Sequence, residues 1–179
     1  MSGMKNNNKL IIFLFGAPGS GKTTIGKKLN EIIPKSIFIS IGSVMRDDMN
    51  FKDPFLNVDR VLVMDFSYKK YLNSNSEILI LDCNPYPDKM WKACMEKIKL
   101  FEKAIFIKIN APDFQLLERM HSRNRIDSDT FTFEQRLNYY YKNINPKIKK
   151  VLNNKNSFSY NNIDINDVQK IINLIKQEI

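Results

Sequence analysis

An unbroken apolar run, Leu10 to Phe15, leads into the glycine-rich turn Gly16-Ala17-Pro18-Gly19-Ser20-Gly21, followed at once by Lys22-Thr23-Thr24 and a helical pattern. Few arrangements accept a buried strand, a loop of this kind and a helix in such close succession. The spacing Gly16-x-x-x-x-Gly21-Lys22-Thr23 predicts strand, loop and helix in the P-loop pattern. Glycines let the backbone curl so that successive N–H groups converge on phosphate oxygens. The helix N-terminus behind the loop adds about half an elementary charge of positive potential. In this pattern Lys22 reaches β- and γ-phosphates, and the hydroxyl of Thr23 or Thr24 serves the Mg²⁺ side. The competing reading is a Gly/Pro turn that happens to precede a lysine, and the legible strand and helix on either side weigh against it. The loop says phosphate, not which reaction.

With 179 residues, 43% of them hydrophobic, the chain can build one domain with a sizeable core. Two small lobes could ride on it. The formal charge of +9 admits polyanionic partners. The lysines are scattered rather than gathered into a stripe, and no nucleic-acid motif is present. We therefore expect nucleotides as substrates, no stable nucleic-acid partner, and a monomer. The first apolar run is too short to span a bilayer, and the stretch before it (MSGMKNNNK) has no hydrophobic region, so no membrane partner is expected. Cys83, Cys94 and the lone His121 make neither a disulfide framework nor a zinc site, which suits a reducing, cytoplasmic setting.

Apolar periodicity predicts a helix over 24–33, a strand over 36–41, helices over 42–49 and 58–72, and a strand over 78–81. A helix over 87–101 and a strand over 104–109 come next. A helix over 113–123 begins just after Pro112. Thr132 and Gln135 form a capping box for a helix over 132–143, which Pro146 bends or restarts. A weak strand over 157–160 and a helix capped by Asp164 close the chain. Alternating β and α elements predict an α/β fold, a doubly wound parallel sheet of about five strands with helices on both faces and the nucleotide at its carboxyl edge. Strand order cannot be derived from this pattern.

Asp82 ends the apolar strand Ile78-Leu79-Ile80-Leu81, where a carboxylate could hold Mg²⁺. A strand-terminal Asp can equally be a turn residue. Arg119 and Arg123 lie one turn apart on one helix face, Arg125 follows in a polar segment, and Arg136 comes early in the next helix. Single arginines are usually solvated surface charge. Four around one short segment suit a clamp on a phosphoryl group in flight, whose charge sits on three equatorial oxygens. An arginine so placed is worth about 10³–10⁵ in rate, or about 4–7 kcal/mol. Trp91 and the run Tyr139-Tyr140-Tyr141 sit on helical patterns and are read as packing, and Cys83 as a small residue at the core's edge.

Five separated segments resemble, in order and approximate spacing, the adenylate kinase-like nucleoside monophosphate kinases. They are Gly16 to Thr24, Ile39 to Arg46, Leu79 to Asp82, Ala111-Pro112-Asp113 through Arg119 and Arg123, and Arg125-Ile126-Asp127 through Arg136-Leu137. The resemblance covers nearly the whole chain. It implies a core (residues 9–41, 77–123 and 132–179), an NMP-binding lobe at about 42–76, and a short lid at about 124–131. It implies ATP and Mg²⁺, with Arg119 and Arg123 on the ATP side and Arg125 and Arg136 closing on the transferred phosphate. Gly42 and Arg46 would meet the acceptor's phosphate, Thr23 and Asp82 the metal, and Asp127 would belong to the lid.

The donor half matches the family better than the acceptor half. Ile41 and Ser43 flank Gly42 where the family has Thr or Ala and then Asp. Cys83-Asn84-Pro85-Tyr86 stands where it has Gly-Phe-Pro-Arg, so Tyr86 replaces an acceptor-gripping arginine. The stretch between Arg46 and Asp82 is short for the family. Three readings are compatible with this pattern. One is an NMP kinase acting on AMP, UMP/CMP or a deoxynucleotide. The second is a small-molecule or nucleoside kinase of the P-loop class, favoured by the short lobe. The third is an ATP-binding assembly factor with weak adenylate kinase activity. Thr23-Thr24, the short lobe and Asp59-Arg60-Val61 resemble the atypical nuclear adenylate kinase linked to ribosome maturation, whose lid lacks this arginine set.

Overall fold

The computed structural model describes residues 9–51, 59–85, 88–122, 132–153, 157–161 and 168–178. Strands β1 (Leu10–Phe15), β2 (Ser36–Ser40), β3 (Ile78–Asp82), β4 (Lys103–Asn110) and β5 (Ser157–Asn161) form one parallel sheet in the order β2-β3-β1-β4-β5. β1 is therefore the middle strand. It is buried along its whole length, as an unbroken apolar run requires. The helices are α1 (Lys22–Ile32), α2 (Ile41–Ser43), α3 (Arg60–Leu72), α4 (Asp88–Ile98), α5 (Asp113–His121), α6 (Phe133–Tyr139), α7 (Asn145–Leu152) and α8 (Val168–Glu178).

Alternate β1 residues face two separate apolar layers. Leu10, Ile12 and Leu14 pack with Ile25 and Leu29 of α1 and with Ile171, Ile172 and Ile175 of α8. Ile11, Phe13 and Phe15 face the other way, toward Val63 and Met64 of α3, Leu116 and Met120 of α5, and Leu137 of α6. Trp91 of α4 meets Phe13 and Phe15 edge-on at 6.0 and 5.9 Å between ring centroids, so it packs the core as read from its helical position. Gly26 is needed on the first layer. A Cβ there would run into the ring of Phe38 on β2. The helix accepts glycine's cost of about 1 kcal/mol relative to alanine because the ring occupies that space.

Register puts the site at one end. Leu14 and Ser40 are both level with Asp82, so three strand ends meet at the carboxyl edge. The chain leaves β1 toward β2 on one side, while β4 lies on the other. A crevice opens at such a divergence, and the glycine loop fills its mouth.

Several element bounds differ from expectation. The segment predicted as a helix over 42–49 is one turn of α-helix, α2, continued by a π-helical turn over Val44–Asp48, in which Met49 N–H bonds to Val44 C=O. α4 stops at Ile98 because Leu100 and Phe101 donate to Lys97 and Ile98 in turns. α3 begins after Asp59, whose carboxylate caps the N–H groups of Val61 and Leu62. The Thr132/Gln135 capping box is present, and a second π-helical turn, Tyr140–Ile144, precedes the restart that carries Pro146. The tyrosine run divides. Tyr140 is core, while Tyr139 and Tyr141 are exposed and Tyr141 donates its hydroxyl to Asp113 at the start of α5. Asp164 and residues 124–131 lie outside the described residues. Among the described residues no helix is long and apolar enough to cross a membrane.

Candidate active site

Two glycines give the loop its shape. Gly16 has φ +152°, and a Cβ there would strike the carbonyl of Ile109 and the hydroxyl of Ser20. Gly19 has φ +82°, and its Cβ would lie 2.7 Å from the Leu116 carbonyl oxygen of α5. The loop is thus pressed between the end of β4 and the flank of α5 with no room for side chains at either point. Ala17 and Ser20 are buried, Pro18 is half-buried, and Gly21 supplies the N-cap of α1 with φ +91°. Lys22 folds back over the turn. Its ammonium donates to the carbonyls of Gly16 at 3.0 Å and Ala17 at 2.9 Å.

Thr23 and Asp82, far apart in sequence, meet. The Thr23 hydroxyl donates to Asp82 Oδ2 at 3.2 Å, and the Ser40 hydroxyl donates to the same oxygen at 3.3 Å. Thr24 points to solvent. A hydroxyl and a carboxylate within contact of each other are hard oxygen donors, the kind Mg²⁺ takes while leaving other positions to phosphate oxygens and water. The glycine cradle and this donor pair fit a bound triphosphate with its metal.

Arg119 reaches the loop from α5. Its Nη1 donates to Gly19 C=O at 3.5 Å, and Nη2 donates to Gln115 Oε1 at 3.2 Å. The residue is therefore beside the glycine loop, where the family resemblance implies the ATP side. Arg46 bends back along its own helix. A Cβ on Gly42 would sit 3.2 Å from Arg46 Nη1 and 3.8 Å from the Ser40 hydroxyl. The missing side chain at Gly42 leaves that space open between the guanidinium and the Ser40 hydroxyl. Arg46, Thr23, Lys27, Ser40 and Ser43 line one cleft of roughly 720 Å³. At its rim Lys70 of α3 pairs with Asp48 at 2.9 Å and ties α3 to the π-helical turn.

Arg136 is half-buried on α6, next to the core residue Leu137, on a helix that packs against α5. Tyr86, Arg123, Arg125 and Asp127 lie outside the described residues.

Two contributors carry no signal in the sequence. Ser40 shares Asp82 with Thr23. Asn84 is buried and holds Gly16 at both ends: its Nδ2 donates to Gly16 C=O at 2.8 Å, and its Oδ1 accepts from Gly16 N–H at 3.0 Å. Neither hydroxyl nor amide has a spacing signature. Cys83 between them is inert. A hydrogen bond with Cys94, then burial, pushes its thiol well above the ordinary range. It is enclosed by the core rather than set at its edge.

No family model matches the chain, and no curated protein matches it. Solved structures do match. A shikimate kinase from Acinetobacter baumannii in complex with shikimate aligns over 96% of this chain and 96% of its own, with a TM-score of 0.64 and 19% identity. The architecture is similar to that of this kinase. At that identity the likeness carries the fold, and the chemistry rests on the residues of the site itself.

Proposed function

We propose that this P-loop kinase-like chain is an ATP-dependent phosphotransferase whose acceptor is a nucleoside monophosphate. The observation that carries the reading is the shared cleft, in which Thr23 of the phosphate loop and Arg46 line the same space. A guanidinium that shares its cleft with Thr23, whose hydroxyl donates to Asp82, suits an acceptor that arrives with its own phosphate.

When bound, MgATP supplies the phosphoryl group, and its transfer asks for placement and charge neutralisation more than for covalent chemistry. The loop N–H groups and the N-terminus of α1 hold phosphate oxygens. Lys22 turns its ammonium from the carbonyls of Gly16 and Ala17 toward them. Thr23 and Asp82 hold Mg²⁺, with the Ser40 hydroxyl keeping Asp82 Oδ2 oriented. Arg119 stays on the donor side, anchored to Gly19 and Gln115. By the family resemblance Arg123 would join Arg119 on that side, Arg125 and Arg136 would close on the group in transit, and Asp127 would belong to the lid. Arg46 grips the acceptor's phosphate over Gly42, and the family resemblance would give Tyr86 a part in acceptor binding. No proton needs to be removed from a phosphate acceptor, so the lack of a dedicated base is no obstacle.

A second reading has its own support. The fold likeness to a shikimate kinase spans both chains almost completely, and the segment between Arg46 and Asp82 is short. A small hydroxyl acceptor would then enter the same cleft, where Asp47 is the exposed carboxylate not tied to Lys70. A coupled ADP-formation assay decides between them, run across AMP, CMP, UMP, GMP, their deoxy forms, shikimate-like hydroxyl acceptors and a water blank. Turnover with a monophosphate alone supports the first reading. Turnover only with a hydroxyl acceptor moves the assignment to the second, and none beyond the water blank leaves an ATP-binding assembly factor.

A further inference from the structure

Gly16 is where the chain leaves β1 and becomes the phosphate loop. Its carbonyl takes two donors, Asn84 Nδ2 at 2.8 Å and the Lys22 ammonium at 3.0 Å. Its N–H is taken by Asn84 Oδ1 at 3.0 Å. Only one orientation of the carboxamide satisfies both ends, since the N–H needs an acceptor and the C=O a donor. The pairing continues the sheet. β1 and β3 are in register at Leu14 and Asp82, and two residues further along each chain are Gly16 and Asn84. Beyond the last backbone pair the Asn84 side chain stands in for a peptide unit.

We propose that Asn84 is a positioning residue of this site: its carboxamide fixes the Gly16 peptide relative to Asp82 and keeps the Gly16 carbonyl hydrogen-bonded when Lys22 leaves it for a phosphate. The inference rests on reading the loop as a phosphate cradle. Without Asn84, transfer of the ammonium would strip a buried carbonyl of both donors. The loop would then either hold Lys22 back or reshape, and in both cases nucleotide affinity falls. Leaving one buried polar group without a partner corresponds to about tenfold in an equilibrium constant, or more. The acceptor cleft, walled by Ser43 and Arg46, does not touch this contact and should keep its affinity.

The test compares wild type with Asn84→Ala and Asn84→Asp. Asn84→Asp keeps the shape and the acceptor oxygen but sets a carboxylate oxygen against the Gly16 carbonyl. In the nucleotide-free protein, amide hydrogen exchange at Gly16 should quicken at least tenfold in Asn84→Ala, with Ile12 and Leu81 unchanged. With the ATP analogue AMP-PNP and Mg²⁺, Kd should rise about tenfold or more in both variants, and the KM for the acceptor nucleotide should stay within about twofold. Unchanged Gly16 exchange, or unchanged AMP-PNP affinity in either variant, overturns the inference. So does a parallel loss of exchange protection along β1 and β3, which would make Asn84 an ordinary stabilising contact. If Asn84→Ala does not fold, Asn84→Asp carries the nucleotide measurement alone. A wild type that binds no AMP-PNP refutes the phosphate-cradle reading itself, whereas tight wild-type binding matched by the variants refutes only the role of Asn84.

Discussion

Replacing Gly19 by alanine sets two steric costs against the phosphate loop at once. The residue holds φ +82°, a conformation that costs a side-chain-bearing residue roughly 1–2 kcal/mol. The added Cβ would lie 2.7 Å from the Leu116 carbonyl oxygen and 3.2 Å from its Cα. Both are backbone atoms of α5 and cannot swing aside as a side-chain tip would. Overpacking of this kind costs about 1–3 kcal/mol. Together they amount to roughly 2–5 kcal/mol, which for a domain of this size corresponds to a fall in Tm of about 4–20 °C. The loop has one way to avoid the clash, which is to lift off α5 and leave only the φ cost. That would carry Gly19 away from Arg119 and spoil the cradle, so Tm would fall by only about 2–8 °C while affinity for AMP-PNP falls tenfold or more. Thermal melting and nucleotide titration on the same sample cover both routes. A variant with wild-type Tm and wild-type affinity would refute the packing of the loop against α5.

Three other outcomes are expected. Lys22→Ala should abolish phosphoryl transfer while leaving the melting temperature close to wild type, since the ammonium's hydrogen bonds to Gly16 and Ala17 stay within the loop; near-normal ADP formation would remove the loop from the chemistry. Arg125→Ala and Arg136→Ala should each lower kcat by about 10² or more with ATP still bound, and an unchanged kcat in both would return these arginines to the surface. Tyr71→Phe should flatten the alkaline limb of stability. Burial first, then Tyr68 and Glu77, raises the Tyr71 phenol from 10.0 to about 12. The folded state thus holds the proton more tightly than the unfolded one. That stabilisation is complete below pH 10 and is lost as pH climbs toward 12, by about 2 kcal/mol in all. Urea unfolding across this range, showing equal losses for wild type and Tyr71→Phe, would count against the assignment.

The loop and its flanking elements are legible in the sequence because they rest on short-range rules. β1 matches its apolar run residue for residue, and the capping box of Thr132 and Gln135 marks the start of α6. Asp82 is legible as the polar end of a buried strand. Strand order is not, because apolar runs carry no record of their neighbours. Only the folded sheet sets Ser40 and Leu14 level with Asp82. Asn84 escapes for a similar reason. After a strand, asparagine reads as a turn former, and nothing nearby in sequence shows that its partner is Gly16. The π-helical turn after α2 reads as ordinary helix because one wider turn leaves the apolar spacing almost unchanged. Periodicity places Tyr141 among packing residues, yet its ring lies at the surface and its hydroxyl reaches Asp113.

β2 lies on the border of the sheet, with β3 as its one strand neighbour among the described residues, and the wall of the cleft proposed for the acceptor is built largely from β2 and the helical turns next to it in the chain. Insertions or deletions between Phe51 and Asp59, ahead of the α3 residues that pack on β1, therefore leave the pairing of β1 with β3 and β4 undisturbed. If the proposed activity holds, a lineage could retailor what it phosphorylates by trimming or extending that margin, while the glycine loop and its supports are inherited intact.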